Sequence, residues 1–176
     1  MKKTKGFVLL LLCLLLFSSC MGGFQGSETG GSILPGADAS TAKKEAPEFA
    51  VSFLRDGWRE DDYPILYRLT TLSQLQHYLS DRREDVSGFD AEKYDAAFFE
   101  KQELWILLVE EGSGSNRHRV DGISQTEGGW QVDLVRLLPE AGTCDMVCWN
   151  VILAVEKGVV EENAEISVSV TTEKLN

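Results

Sequence analysis

Few side chains in this chain have types and spacing suited to chemistry. Of 176 residues, four are Cys and two are His. Cys144 and Cys148 form a C-x-x-x-C pair just before an apolar run. A thiol–disulfide catalyst would place C-x-x-C at a helix N-terminus, so the spacing does not suggest redox catalysis. A structural disulfide between Cys144 and Cys148 is a candidate, because an even pair of cysteines suits an exported protein. In an extended strand the two lie about 13 Å apart, beyond the ~7 Å that a disulfide tolerates, so the bond requires a turn between Pro139 and Trp149. Without that turn they are two free thiols. Cys144, Cys148 and His118 make three candidate zinc ligands where a closed site takes about four, and no metal is assigned. His118 follows Ser113 and Ser115 closely, yet no nucleophile elbow or oxyanion element accompanies them. No catalytic residue and no cofactor is assigned.

The stretch Gly112, Ser113, Gly114, Ser115, Arg117, His118, Arg119 is the one basic spot next to a Gly/Ser loop in an acidic chain. Backbone N–H groups in such a loop can hold an anion. It is therefore a candidate ligand or partner loop, with a solvated turn as the plain alternative. Glu60-Asp61-Asp62 and Glu161-Glu162 lack the alternating ligands and central Gly of a calcium loop and read as solvated loops.

The elements that would position these residues follow from periodicity. Glu48 to Leu54 and Tyr63 to Leu69 read as strands, the second with Ile65, Tyr67 and Leu69 on one face. Thr71 to Arg82 reads as a helix, with a Thr71/Gln74 capping box, Leu72, Leu75 and Leu79 on one face, and His77 exposed without a partner. A short helix is expected over Ala91 to Lys101, capped by Asp90, with Phe89 stapled on Tyr94. The run ELWILLVE (Glu103 to Glu110) suits a central strand covered on both faces. Arg117 to Gln125 with a bulge at Gly122, Trp130 to Leu138 after a Glu127-Gly128-Gly129 turn, Cys148 to Glu156, and Glu165 to Thr172 complete the set. The expected fold class is α+β: a mainly antiparallel sheet of about six strands, curled into a barrel or sandwich, with one or two short helices.

The N-terminus carries an address. Lys2, Lys3 and Lys5 precede an apolar run from Phe7 to Phe17. Eleven residues rise about 16 Å as a helix, roughly half a bilayer core, which fits a signal peptide over residues 1–19 better than a span. Ser18, Ser19 and Cys20 follow, and they resemble the lipobox of bacterial lipoproteins. The resemblance implies cleavage before Cys20 and lipidation of its thiol. The alternatives are an uncleaved anchor or ordinary secretion. Residues 20–46, with six Gly from position 21 onward, read as a flexible tether with a reach of about 28 Å. Residues 47–176 then form a single domain.

The segment Tyr94 to Ser115 (YDAAFFEKQELWILLVEEGSGS), with the later Val-rich hairpin and Pro139-Glu140-Ala141-Gly142-Thr143, resembles the C-terminal domain of the protease complex subunit PrcB family over roughly Leu69 to Val170. Ser115-Asn116-Arg117-His118 stands where that family carries a Gly-Gly-Tyr-type signature. The resemblance implies a secreted or lipid-anchored module that associates with and stabilises a partner, in the name-giving case an extracellular protease. It implies no catalytic residues.

Charge narrows the partners. The chain has 17 Lys and Arg against 28 Asp and Glu, a net charge of −11. Loss of residues 1–19 removes three lysines and no acids, leaving a net −14. A nucleic-acid partner is not expected, because phosphate binding needs clustered Lys and Arg. An acidic module is also repelled from anionic lipid, so attachment to the cell membrane, facing outside the cytoplasm, would be covalent. The leading expectation is a non-catalytic protein-interaction or accessory module with an extracellular protein partner. The alternative is a small-ligand-binding lipoprotein using the Gly112 to Arg119 loop. An enzyme is the third reading.

Overall fold

The computed structural model describes residues 44–82 and 88–175. The signal peptide read over 1–19, Cys20 and most of the tether read over 20–46 lie outside the described residues. The elements in chain order are β1 (Phe49–Gly57), β2 (Ile65–Leu69), α1 (Leu72–Asp81), a 3-10 turn (Ala91–Lys93), α2 (Ala96–Lys101), β3 (Gln102–Glu111), β4 (Arg117–Thr126), β5 (Gly129–Leu138), β6 (Val147–Glu156) and β7 (Ile166–Lys174).

Strand alternation sorts side chains into two cores. On β3, Trp105, Leu107 and Val109 point one way, with Val151, Leu153 and Val155 of β6 beside them. They meet Ile123 of β4 and Trp130, Val132 and Leu134 of β5. The opposite face carries Leu104, Ile106, Leu108 and Ile152, covered by Leu75 and Tyr78 of α1 and Phe99 of α2. β3 is therefore buried on both faces, as its unbroken apolar run requires. Each such side chain contributes about 1.5–3 kcal/mol by leaving water.

The fold is α+β and mostly strand, with two facing sheets. One has the order β1-β6-β3-β2, antiparallel throughout, and the other β4-β5-β7. The described residues thus form seven strands in two sheets, not one sheet of about six. The barrel alternative does not hold, since β1, β2, β4 and β7 remain sheet borders. The β5–β7 pair is parallel. Between these two strands the chain crosses to the other sheet as β6 and returns, which leaves β7 running with β5.

Local signals account for most boundaries. Thr71 Oγ1 accepts from the Gln74 N–H at 3.2 Å, while the Gln74 side chain accepts from the Thr70 N–H at 2.6 Å, one residue earlier than a regular capping box. His77 is exposed as expected but has a partner, Asp81, at 3.3 Å. The helix expected over Ala91 to Lys101 is split. Asp90 makes no capping bond, and Asp95 caps α2 by accepting from the Phe98 N–H at 2.8 Å. Phe89 stacks on Tyr94 at 5.4 Å. The register shift between Val120 and Gly122 is the expected bulge.

Gly129 opens β5 at φ +142, where a Cβ would lie 2.3 Å from the Glu165 carbonyl oxygen. Trp130 N–H donates to that same oxygen at 2.8 Å. Gly129→Ala is expected to cost about 1–3 kcal/mol, read from denaturant midpoints, because both the left-handed backbone and the close approach resist a side chain.

Candidate functional site

The end of the sandwich where β3 stops and β4 begins gathers most of the sequence-predicted site residues. Glu111, the last residue of β3, is buried. Its carboxylate accepts from Asn116 Nδ2 at 2.7 Å, His118 Nε2 at 2.8 Å and Arg136 Nε at 2.6 Å. Strand parity puts it there: Glu111 continues the inward row Trp105, Leu107, Val109, and Arg136 continues Trp130, Val132, Leu134. Burial alone would raise the Glu111 pKa, but the three donors outweigh it and hold the carboxyl below its ordinary value.

His118 is no ordinary strand residue. Its side chain is fully buried and packs edge-on to Trp149 at 6.0 Å between ring centres. A carboxylate only accepts, so Nε2 carries the proton. His118 Nδ1 and Trp149 Nε1 have no hydrogen-bond partner among the described residues. With its side chain shielded and Nε2 committed to Glu111, His118 reaches neither Ser113 nor Ser115 as a base.

Arg117 and Arg119 flank His118 on β4 and point outward. The Arg117 guanidinium lies 5.3 Å from the Trp149 ring centre and donates to the carbonyls of Gly114 and Asn116 at 2.9 and 2.8 Å. Arg119 pairs with Asp121 and Glu173 at 2.6 and 3.0 Å. The Gly112, Ser113, Gly114, Ser115 loop is fastened to the loop after β5. Two of its amides and the next one along already have acceptors: Gly114 N–H donates to Asp145 at 3.0 Å, Ser115 N–H to Ser113 Oγ at 3.3 Å, and Asn116 N–H to Ser113 O at 3.2 Å. Thr143 bridges the hydroxyls of Ser113 and Ser115. A carboxylate of the chain itself, Asp145, thus occupies the place an anion would take. Hydrogen bonds from Thr143 and Gly114 hold its pKa down, and Arg55 pairs with its other oxygen. A Cβ on Gly114 would lie 2.4 Å from the ends of both the Arg55 and Asp145 side chains, so a larger residue there would have to displace that ion pair.

The candidate disulfide is not formed. Cys144 is exposed in the loop and Cys148 is buried in β6, and both thiols are free. The strand begins at Val147, so extended backbone carries Cys148 into the helix-side core while Cys144 stays outside. Burial pushes the Cys148 thiol up, which makes its reactive thiolate scarce. Among the described residues no three His, Cys, Asp or Glu side chains gather as a metal cluster. The Glu161-Glu162 pair, read as a solvated loop, does more: Glu161 accepts from Lys44 Nζ at 2.6 Å and Trp130 Nε1 at 2.9 Å. These two donors draw its carboxyl down to about 2.

Sequence reasoning missed Glu111 as the partner of His118, and Asn116 and Arg136 as the other donors to that carboxylate. The available signal was parity, since a charged residue in step with an inward apolar row must find a partner inside. No family model, curated protein or solved structure matches the chain.

Proposed function

We propose that the chain is a lipid-anchored extracytoplasmic protein whose domain acts as a non-catalytic interaction or accessory module, stabilising a secreted or surface protein such as a protease. The address rests on the signal-peptide pattern and Cys20, and the protease on the resemblance to the PrcB family. The observation that carries the module reading is how the domain distributes its groups. Glu111 and His118 are spent on each other inside the fold, and the hydroxyls of Ser113, Thr143 and Ser115 bond to one another at the surface. Large apolar side chains are left uncovered on sheet borders and strand ends: Val51, Trp58, Met146, Val170 and Leu175. Open strand edges and exposed apolar groups are what partner proteins cover. The anion-type ligand reading of the Gly112 to Arg119 loop finds the amides of Gly114, Ser115 and Asn116 already engaged.

The test is isolation of the full-length protein from detergent-solubilised membranes. A partner protein in near-stoichiometric amount, degraded faster in cells lacking this chain, is the expected result. Isolation of the chain alone, with a small molecule bound, would contradict the reading.

A further inference from the structure

The β1–β6 ladder ends at the pair Gly57 and Val147. The residues just beyond it are both apolar and uncovered: Trp58, 41% exposed, follows Gly57, and Met146, 52% exposed, precedes Val147. Single exposed apolar residues are ordinary on a protein surface; here two large ones stand at the same ladder end. Trp58 is also held in place. Its indole N–H donates to Glu110 of β3, reaching past β6, which lies between β1 and β3 in the sheet. An indole already fixed by a hydrogen bond loses little further freedom on binding, and Trp is among the side chains that dominate interface energetics.

Acids outnumber bases around this pair. Glu60, Asp61 and Asp62 follow one residue after Trp58, beyond Arg59, and are exposed. The nearby arginines are engaged, Arg59 with Asp56 and Arg55 with Asp145. The tether joins the other end of the same strand: eight residue steps from Phe49 to Gly57 at about 3.3 Å each put the pair about 26 Å along β1 from that junction.

We infer that Trp58 and Met146 are the docking anchor for a protein partner presenting an apolar pocket rimmed by Lys and Arg. This rests on the interaction-module reading and names the surface that module uses. Charge selects the occupant. A second copy related by a two-fold axis would set acidic rim against acidic rim, and an anionic lipid surface is repelled for the same reason. A basic rim is attracted, and that attraction weakens as salt is raised.

Site-specific photo-crosslinking in the full-length, membrane-anchored protein tests this, with the reactive residue at position 146 and, separately, at Val170 on the open edge of β7. The expected result is an adduct of one defined mass from position 146, none from position 170, and weaker yield as salt rises. Trp58→Ser should lower the affinity on the order of thirtyfold, and Asp61→Lys with Asp62→Lys should also weaken it. Trp58→Ser must keep the wild-type melting profile for its loss to count, and Met146→Ser is the second variant if it does not. An adduct from position 170 alone, one indifferent to Trp58→Ser, one with lipid, or one of twice the chain's mass would overturn this surface and leave the module reading standing. No adduct from either position, together with isolation of the chain alone, would overturn both.

Discussion

Arg68→Ala is expected to lower the unfolding free energy by about 3–5 kcal/mol, a fall in thermal midpoint of about 10–20 °C for a domain of this size. Arg68 on β2 grips Glu103 at the start of β3 with two hydrogen bonds, Nε at 2.7 Å and Nη2 at 2.9 Å. Its guanidinium also donates to the carbonyls of Val160, Glu161 and Glu162, which fastens the loop between β6 and β7 over this end of the sandwich. Glu103 is 4% exposed and also accepts from Trp105 Nε1 at 3.0 Å. Removing Arg68 therefore leaves a carboxylate without its counter-charge inside the fold and frees three carbonyls at once. Arg68→Lys keeps the charge but not the planar fork, and should lose an intermediate amount. Arg119→Ala removes the exposed pairs to Asp121 and Glu173 and should leave the midpoint almost unmoved.

Glu111→Gln is expected to cost about 2–4 kcal/mol near neutral pH, because three charge-assisted hydrogen bonds converge on that carboxylate. A glutamine offers one acceptor oxygen in place of two and no charge for Arg136. The pH dependence separates this hub from ordinary packing. The Glu111 pKa is lower in the folded chain than its ordinary value. Its stabilisation is therefore complete above the unfolded pKa and is lost as pH falls through the folded one. Urea unfolding of wild type and Glu111→Gln between about pH 7 and pH 3 should show the gap between them closing toward acid. A gap constant across that range would mean that Glu111 contributes by shape alone.

These two pairs share a design that the sequence held in plain view. The inward row of β3 runs Glu103, Trp105, Leu107, Val109, Glu111, with an acid at each end of an apolar centre. Each acid is met by an arginine on another strand, Arg68 of β2 and Arg136 of β5. Parity was enough to turn both acids inward. The identity of their partners depended on which strands lie adjacent, and no local pattern carries that. The same limit explains the parallel β5–β7 pair, which follows from the chain's passage through the other sheet. Elements governed by short-range rules were legible: β3 as a doubly covered strand, α1 from its apolar stripe, the bulge at Gly122. The second helix was misjudged because two acids competed to cap it, and Asp95, nearer the apolar Phe98-Phe99 pair, holds the helix proper.

The candidate site was partly legible in the same way. The Gly112 to Arg119 stretch drew notice for its glycines and arginines, and the structure gathers it with Asp145, Thr143 and Trp149. What composition left hidden was that these groups satisfy one another. The outward apolar groups at this end are Trp58 and Met146, and their exposure depends on where the β1–β6 ladder stops.

The central claim is an address as much as a role: a folded module held outside the cytoplasm by lipid on Cys20. Mass spectrometry of the N-terminal peptide from membrane-purified protein tests it most directly. The account predicts a chain that starts at Cys20 and carries a diacylglycerol group in thioether linkage to its sulfur. A peptide that retains residues 1–19, or a Cys20 without lipid, would contradict it.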